Sequence, residues 1–295
     1  MIQYIERKTG RVCIEKVFGE KTLGLLYGDG LFSKIFYYTL LPFLAHSALV
    51  SRFYGYLQKL PSSRSKIEPF IQAYGIDQSE FAAAEFRSFN DFFTRKLKAE
   101  CRPIDQDPRR AVLPADGRYL AYHVFDRFFV KGQEFSLESF LQDPVLSRRF
   151  ANGSMLIARL CPVDYHRFHF PCDGVAPSAK LINGPLYSVN PIAIQKRVAI
   201  LSENKRMVTE IDTKAFGTML YVEIGATSVG TIRQTYQAGT PVHKGQEKGY
   251  FEFGGSCIVL LFEKGRIAFD PDLVLNTKKG YETLCHFGES MGICP

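Results

Sequence analysis

Tryptophan is absent from this chain, and several motifs that announce familiar chemistry are absent with it. There is no HExxH and no CxxC, so a zinc site would need ligands at spacings the sequence does not supply. No G-x-S-x-G elbow occurs, which argues against an ordinary α/β-hydrolase. The seven cysteines are an odd number without framework spacing, which favours a reducing compartment over a disulfide scaffold. The start, MIQYIERKTG, is too charged for a secretory signal. Neither an exact internal repeat nor a low-complexity tract is found. Acids are the scarcer charge, 30 against 37 Lys and Arg, and the net charge of +7 favours anionic partners. The basic residues form no groove-reading motif, so acidic lipid is the better match than nucleic acid.

A long hydrophobic run is also missing. The most apolar segment, IFYYTLLPFLAHSALV, lies between Lys34 and Arg52 and carries Pro42 in its middle. It is shorter than the ~20 apolar residues that a bilayer span requires. Lys34, Arg52, Lys59, Arg64 and Lys66 surround it, with Tyr and Phe at its ends. Basic flanks and aromatic ends predict helices lying in the membrane interface instead of crossing it.

What is present divides into two unlike halves. Residues 1–30 are polar and punctuated by glycine, which predicts a short hairpin or arm, and residues 31–60 predict the membrane-facing helices. After the hydrophilic break PSSRSK, Asp77 stands three residues before Glu80, and Ser88 three before Asp91; both predict helix starts. Pro103 ends the helical region. From residue 111 the chain alternates short β-branched and aromatic runs, such as SMLIARLC, TMLYVEIG and CIVLLFE, with Gly, Pro and Asn. That spacing predicts a sandwich or distorted barrel. The expected class is α+β: membrane-associated helices in 1–110, then a β-rich catalytic domain in 111–295.

Three stretches can carry chemistry. PADGR holds Asp116, PVDYHRFHFP holds His166 and His169, and FEFGGS ends in Gly254, Gly255 and Ser256. Acid, histidine and serine together are the set that activates a hydroxyl nucleophile. Glycine before Ser256 also leaves the Gly255 carbonyl open to attack by the serine's own oxygen. AGTPVHKGQEKGYF looks like the turn of a lipoyl or biotinyl carrier, which would modify Lys244 or Lys248 instead.

Beyond these pieces the chain resembles the phosphatidylserine decarboxylases, pyruvoyl-dependent membrane enzymes. YIERKTGRV, FNDFFTRKLKAECRPID, LPADGR, CPVDYHRFHFPCDG, LYSVNP, VEIGATSVGTI and KGQEKGYFEFGGS carry the resemblance in order along nearly the whole length. It departs at Cys257, where the family usually has Thr or Ser. The resemblance implies self-cleavage between Gly255 and Ser256, with Ser256 becoming the pyruvoyl group and Asp116 and His169 activating it. His166 would handle the substrate proton and contact substrate, as would Ser188. It further implies a pyruvoyl cofactor without pyridoxal phosphate or metal, phosphatidylserine in an anionic membrane as substrate, and cleaved chains that stay associated. A homodimer is compatible with it, as is a peripheral place on the cytoplasmic face of a bacterial membrane. The competing reading is an uncut Ser-His-Asp lipid hydrolase.

Overall fold

The computed structural model describes residues 2–16, 39, 45, 47–123, 128–130, 133–226, 231–254 and 256–295. Gly255 and most of the apolar segment 35–50 lie outside that set.

The run CIVLLF decides the architecture. The strand Ser256–Phe262 is buried at all seven positions. Its alternate side chains therefore need cover on both faces of a sheet. Ile258, Leu260 and Phe262 enter one core with Leu156, Leu160, Phe168 and Tyr221. Cys257, Val259 and Leu261 enter the other, with Leu120, Ile157, Phe140 and Leu220. On its two edges the strand pairs antiparallel with Gly217–Gly225 and with Ser154–Leu160. Ser256 stands opposite Gly225 on one side and Leu160 on the other.

These strands form the middle of an eleven-stranded sheet among the described residues. The sheet is mixed: Gln3–Glu6 runs parallel to Glu282–Cys285, while its other pairings are antiparallel. The expected early hairpin is present, as Gln3–Glu6 paired with Val12–Ile14, and it belongs to this same sheet. A separate three-stranded sheet holds Ile232–Gln234, Glu247–Phe251 and Arg167–His169. The fold is thus α+β, built on a large mixed sheet.

The helical region differs in detail from expectation. Ser88 caps the short helix Phe89–Phe93 by accepting from the Asp91 amide. Asp77 does accept from Ser79 N, but it opens only the 3-10 turn Gln78–Glu80. The rings of Phe81, Phe86, Phe89 and Phe92 all enter one aromatic cluster with Phe70 and Phe253. Between Phe81 and Ser88 the backbone forms no helix, and Phe81 instead bridges to Leu97. No described helix is long and apolar enough to cross a membrane. The helix Ala48–Lys59 exposes Phe53, Tyr54 and Tyr56. Its end is tied down by Lys59 Nζ donating to Glu252 at 2.7 Å, and by Tyr54 packing 6.0 Å from Phe253.

Candidate active site

Asp116 sits in the turn that joins Arg110–Val112 to Gly117–His123. The Tyr119 hydroxyl pins that turn, donating to Ala115 O and accepting from Ala115 N. Gly117 is required because a Cβ there would lie 2.9 Å from the Arg159 carbonyl oxygen. The carboxylate is buried and fully engaged. Arg102 grips both oxygens, with Nη2 2.6 Å from Oδ2, and the Phe287 amide donates to Oδ1 at 2.8 Å. His286 Nδ1 lies 3.5 Å from Oδ2. Burial alone would raise the carboxyl's pKa. Bonds from His286 and Arg102, with the Arg102 charge, outweigh it and hold Asp116 well below the usual carboxylate range.

His169 reaches the same turn through the backbone, its amide donating to Pro114 O at 2.8 Å. Its ring lies against Phe287, with centroids 3.7 Å apart and planes 14° from parallel. Among the described residues no hydrogen bond joins Asp116 to His169, and His169 Nδ1 has no partner. Burial lowers the His169 pKa to about 4, against the opposing pull of Glu247 and Asp116.

His166 is completely buried beside Phe93, with ring centroids 3.8 Å apart. Its Nδ1 lies 2.9 Å from the Asp164 carbonyl oxygen. A carbonyl can only accept, so Nδ1 carries the proton and Nε2 presents a lone pair. Burial takes its pKa down to about 3, and the Arg95 and Arg118 charges act in the same direction. The ring is neutral, so Nε2 must take up a proton before it can give one. Asp164 is fixed in turn by Arg118 and by the Cys161 amide at 2.6 Å, and Arg95 Nη2 donates to its carbonyl at 3.2 Å.

Ser256 is fully buried, and its Oγ has no hydrogen-bond partner among the described residues. A buried polar atom left unpaired costs about 1–3 kcal/mol, and such atoms concentrate where chemistry needs them. Ser256 Oγ, His169 Nδ1 and His166 Nε2 are all in this state. The glycine opposite Ser256, Gly225, places no side chain over it. Gly254 has φ +140°, a conformation that side-chain-bearing residues rarely adopt. Gly255 itself is outside the described residues.

Ser188 is held apart from this group. Its Oγ accepts from Asn190 N at 3.2 Å. Its neighbours Tyr187 and Val189 belong to the core on the opposite sheet face from Ile258 and Leu260. Tyr187 lines a cleft of about 700 Å³ there, with Asn183, Arg197 and Glu203. The carrier lysines are both immobilised: Lys244 Nζ donates to three carbonyls, and Lys248 is fully buried against Glu223 at 2.5 Å.

Sequence reasoning missed Arg102, Arg95, Arg118 and Asp164 as individual residues, although each lies inside a stretch it singled out. His286 and Phe287 gave no signal, because neither lies in such a stretch.

Comparison with known proteins agrees with the geometry. The sequence model of the family described as phosphatidylserine decarboxylase matches residues 89–292. The phosphatidylserine decarboxylase proenzyme of Chlamydia pneumoniae is 46% identical over 295 residues, covering 98% of this chain and 96% of the relative. The proenzymes of Chlamydia muridarum (46%, covering 98% and 96%) and Chlamydia felis (45%, covering 99% and 97%) are similar over the same extent.

Proposed function

Since this chain belongs to the phosphatidylserine decarboxylase family, we propose that it is made as a precursor that cuts itself between Gly255 and Ser256. It is an enzyme of phospholipid biosynthesis that converts phosphatidylserine to phosphatidylethanolamine. The observation that carries the cleavage reading is the buried, unpartnered Ser256 hydroxyl at the head of a central strand.

His169 takes the proton of Ser256 Oγ, and Asp116 supports it. The oxygen attacks the Gly255 carbonyl, and the peptide becomes an ester. Loss of the serine Cα proton then expels the Gly255 carboxylate. Dehydroalanine is left at position 256, and water replaces its nitrogen with oxygen as ammonia leaves. Position 256 fits the resulting pyruvoyl ketone: Gly225 opposite adds no bulk, and Leu160 on the other edge is apolar. Such a ketone supplies the electron sink that a decarboxylation needs.

The chain's own residues then serve the lipid. Neutral His166 offers a lone pair at Nε2, so it accepts a proton first and is thereby loaded to return one to the substrate carbon. The helix Ala48–Lys59 presents Phe53, Tyr54 and Tyr56 outward while touching Glu252 and Phe253, just before Ser256. That arrangement supports peripheral binding of this helix to an anionic membrane; the cytoplasmic face is part of the proposal. Ser188 is the further candidate for substrate contact, beside Tyr187, which lines the cleft with Arg197 and Glu203.

Denaturing electrophoresis and intact mass test the proposal. Active protein runs as two chains, and the smaller begins with a blocked pyruvoyl end at position 256. A single uncut chain with full activity, or a free serine amine on the small chain, overturns it. An uncut lipid hydrolase would give the single band.

A further inference from the structure

We propose that Phe287 is a positioning residue for self-cleavage: the Asp116 carboxylate holds its amide, and its ring fixes the plane of the His169 imidazole. The inference rests on the reading of His169 as the base and adds a part to it.

The geometry leaves few other routes. Both Asp116 oxygens are taken by Arg102, and Oδ1 is shared with the Phe287 amide at 2.8 Å. His169 Nδ1 has no hydrogen-bond partner among the described residues, so packing does much to set the ring's orientation. Phe287 supplies the closest ring, at 3.7 Å and 14°; Tyr165 supplies a second stacked ring at 5.8 Å and 25°. Phe287 is 7% exposed, so its ring also keeps water from the imidazole face. Beyond its direct charge, Asp116 therefore bears on the His169 ring through a neighbour's backbone and ring. That neighbour lies beyond Ser256, on the segment that becomes the small chain. His169 lies before it.

Time courses of self-cleavage in freshly synthesised full-length precursor test this across pH. Phe287→Leu keeps apolar volume and removes the ring; Phe287→Tyr keeps the ring. A base displaced by about 1 Å loses on the order of a hundredfold in rate, so Phe287→Leu is expected to slow cleavage by that factor and Phe287→Tyr to rescue it. The acid limb of the pH profile should also move upward from about 4 as water reaches the ring, since burial is what depresses His169. The charged groups facing His169 are Glu247, Asp116 and Arg167, with Arg102 and His286 behind Asp116, and none is changed by the substitution. If Asp116 acts through Phe287, the Asp116→Asn, Phe287→Leu double variant is no slower than the slower single variant. Should Phe287→Leu not fold, Phe287→Met fills the same space and must show the same upward shift.

Wild-type rate and pH profile in Phe287→Leu or Phe287→Met overturn the inference, as do Asp116 and Phe287 effects that multiply. His169→Ala separates the layers. If it still cleaves, the base assignment and this inference fall together; if it stops and Phe287→Leu does not slow, only this inference falls.

Discussion

The strand that ends just before Ser256 and the strand that begins with it are neighbours in sequence and strangers in the fold. Glu247–Phe251 belongs to the three-stranded sheet and pairs with Ile232–Gln234 and Arg167–His169. Ser256–Phe262 lies in the middle of the large sheet, between Gly217–Gly225 and Ser154–Leu160. The proposed cut falls between them, at the head of the inner strand. The side before the cut carries glycine, aromatic rings and the two histidines. The side after it is an unbroken apolar strand gripped on both edges. The bond proposed to break lies where the chain passes from one sheet to the other.

That contrast can be broken or sharpened by substitution. The largest effect is expected from Ser256→Ala, which should slow chain scission roughly a millionfold and leave a single band, because nucleophile and base act as a unit. Sheet pairing should survive, so a far-ultraviolet spectrum like that of wild type checks that only the chemistry was lost.

Next comes the cross-tie that holds the far side in place. Arg159 bonds Glu282 and Glu15 at 2.6 Å each, all three buried. Removing one partner of a buried charge network costs about 3–5 kcal/mol, so Arg159→Met should lower the urea midpoint sharply. If the midpoint stays put, the far side is held by its strand ladders alone.

Acid acts on the near side. Unfolded histidine titrates near 6.5, while folded His169 and His166 titrate at about 4 and about 3. As pH falls below 6.5 the unfolded chain binds protons that the folded chain does not, so stability declines down to those lower values. Each histidine removes about 1.4 kcal/mol per pH unit in that window. Urea titrations at pH 7 and 5.5 should differ accordingly, and His169→Gln should flatten the difference.

Gly254→Ala should cost about 1–3 kcal/mol at a φ of +140°, read as slower scission and a lower melting temperature. The smallest expected effect is that of Arg7→Ala. It removes partly exposed contacts to Asp270 and Asp272 and should cost about 1 kcal/mol by chemical denaturation.

The parts of this architecture that were legible in the sequence are those where residue type and backbone demand coincide. CIVLLF could only be an inner strand, and Ser88 with Asp91 could only open a helix. Asp116, His166, His169 and Ser256 stood out as candidates because chemistry restricts which side chains can serve. The Asp77 start was misjudged because local capping favoured a helix, whereas the chain leaves the short turn after Glu80 to bridge Phe81 to Leu97, a distant pairing that no local pattern encodes. Arg102, His286 and Phe287 were beyond reach for the same reason. Their meaning comes from contacts with Asp116 across 14 or more residues of chain, and no local pattern encodes such a meeting.

One pairing also sets a clock. Among the described residues, Gln3–Glu6 finds its parallel partner only in Glu282–Cys285, and Asp116 receives its amide donor only from Phe287. A ribosome makes the early residues many seconds before the late ones. The proposed cutting apparatus is thus incomplete while the chain is still emerging, which would make scission an event of the released polypeptide.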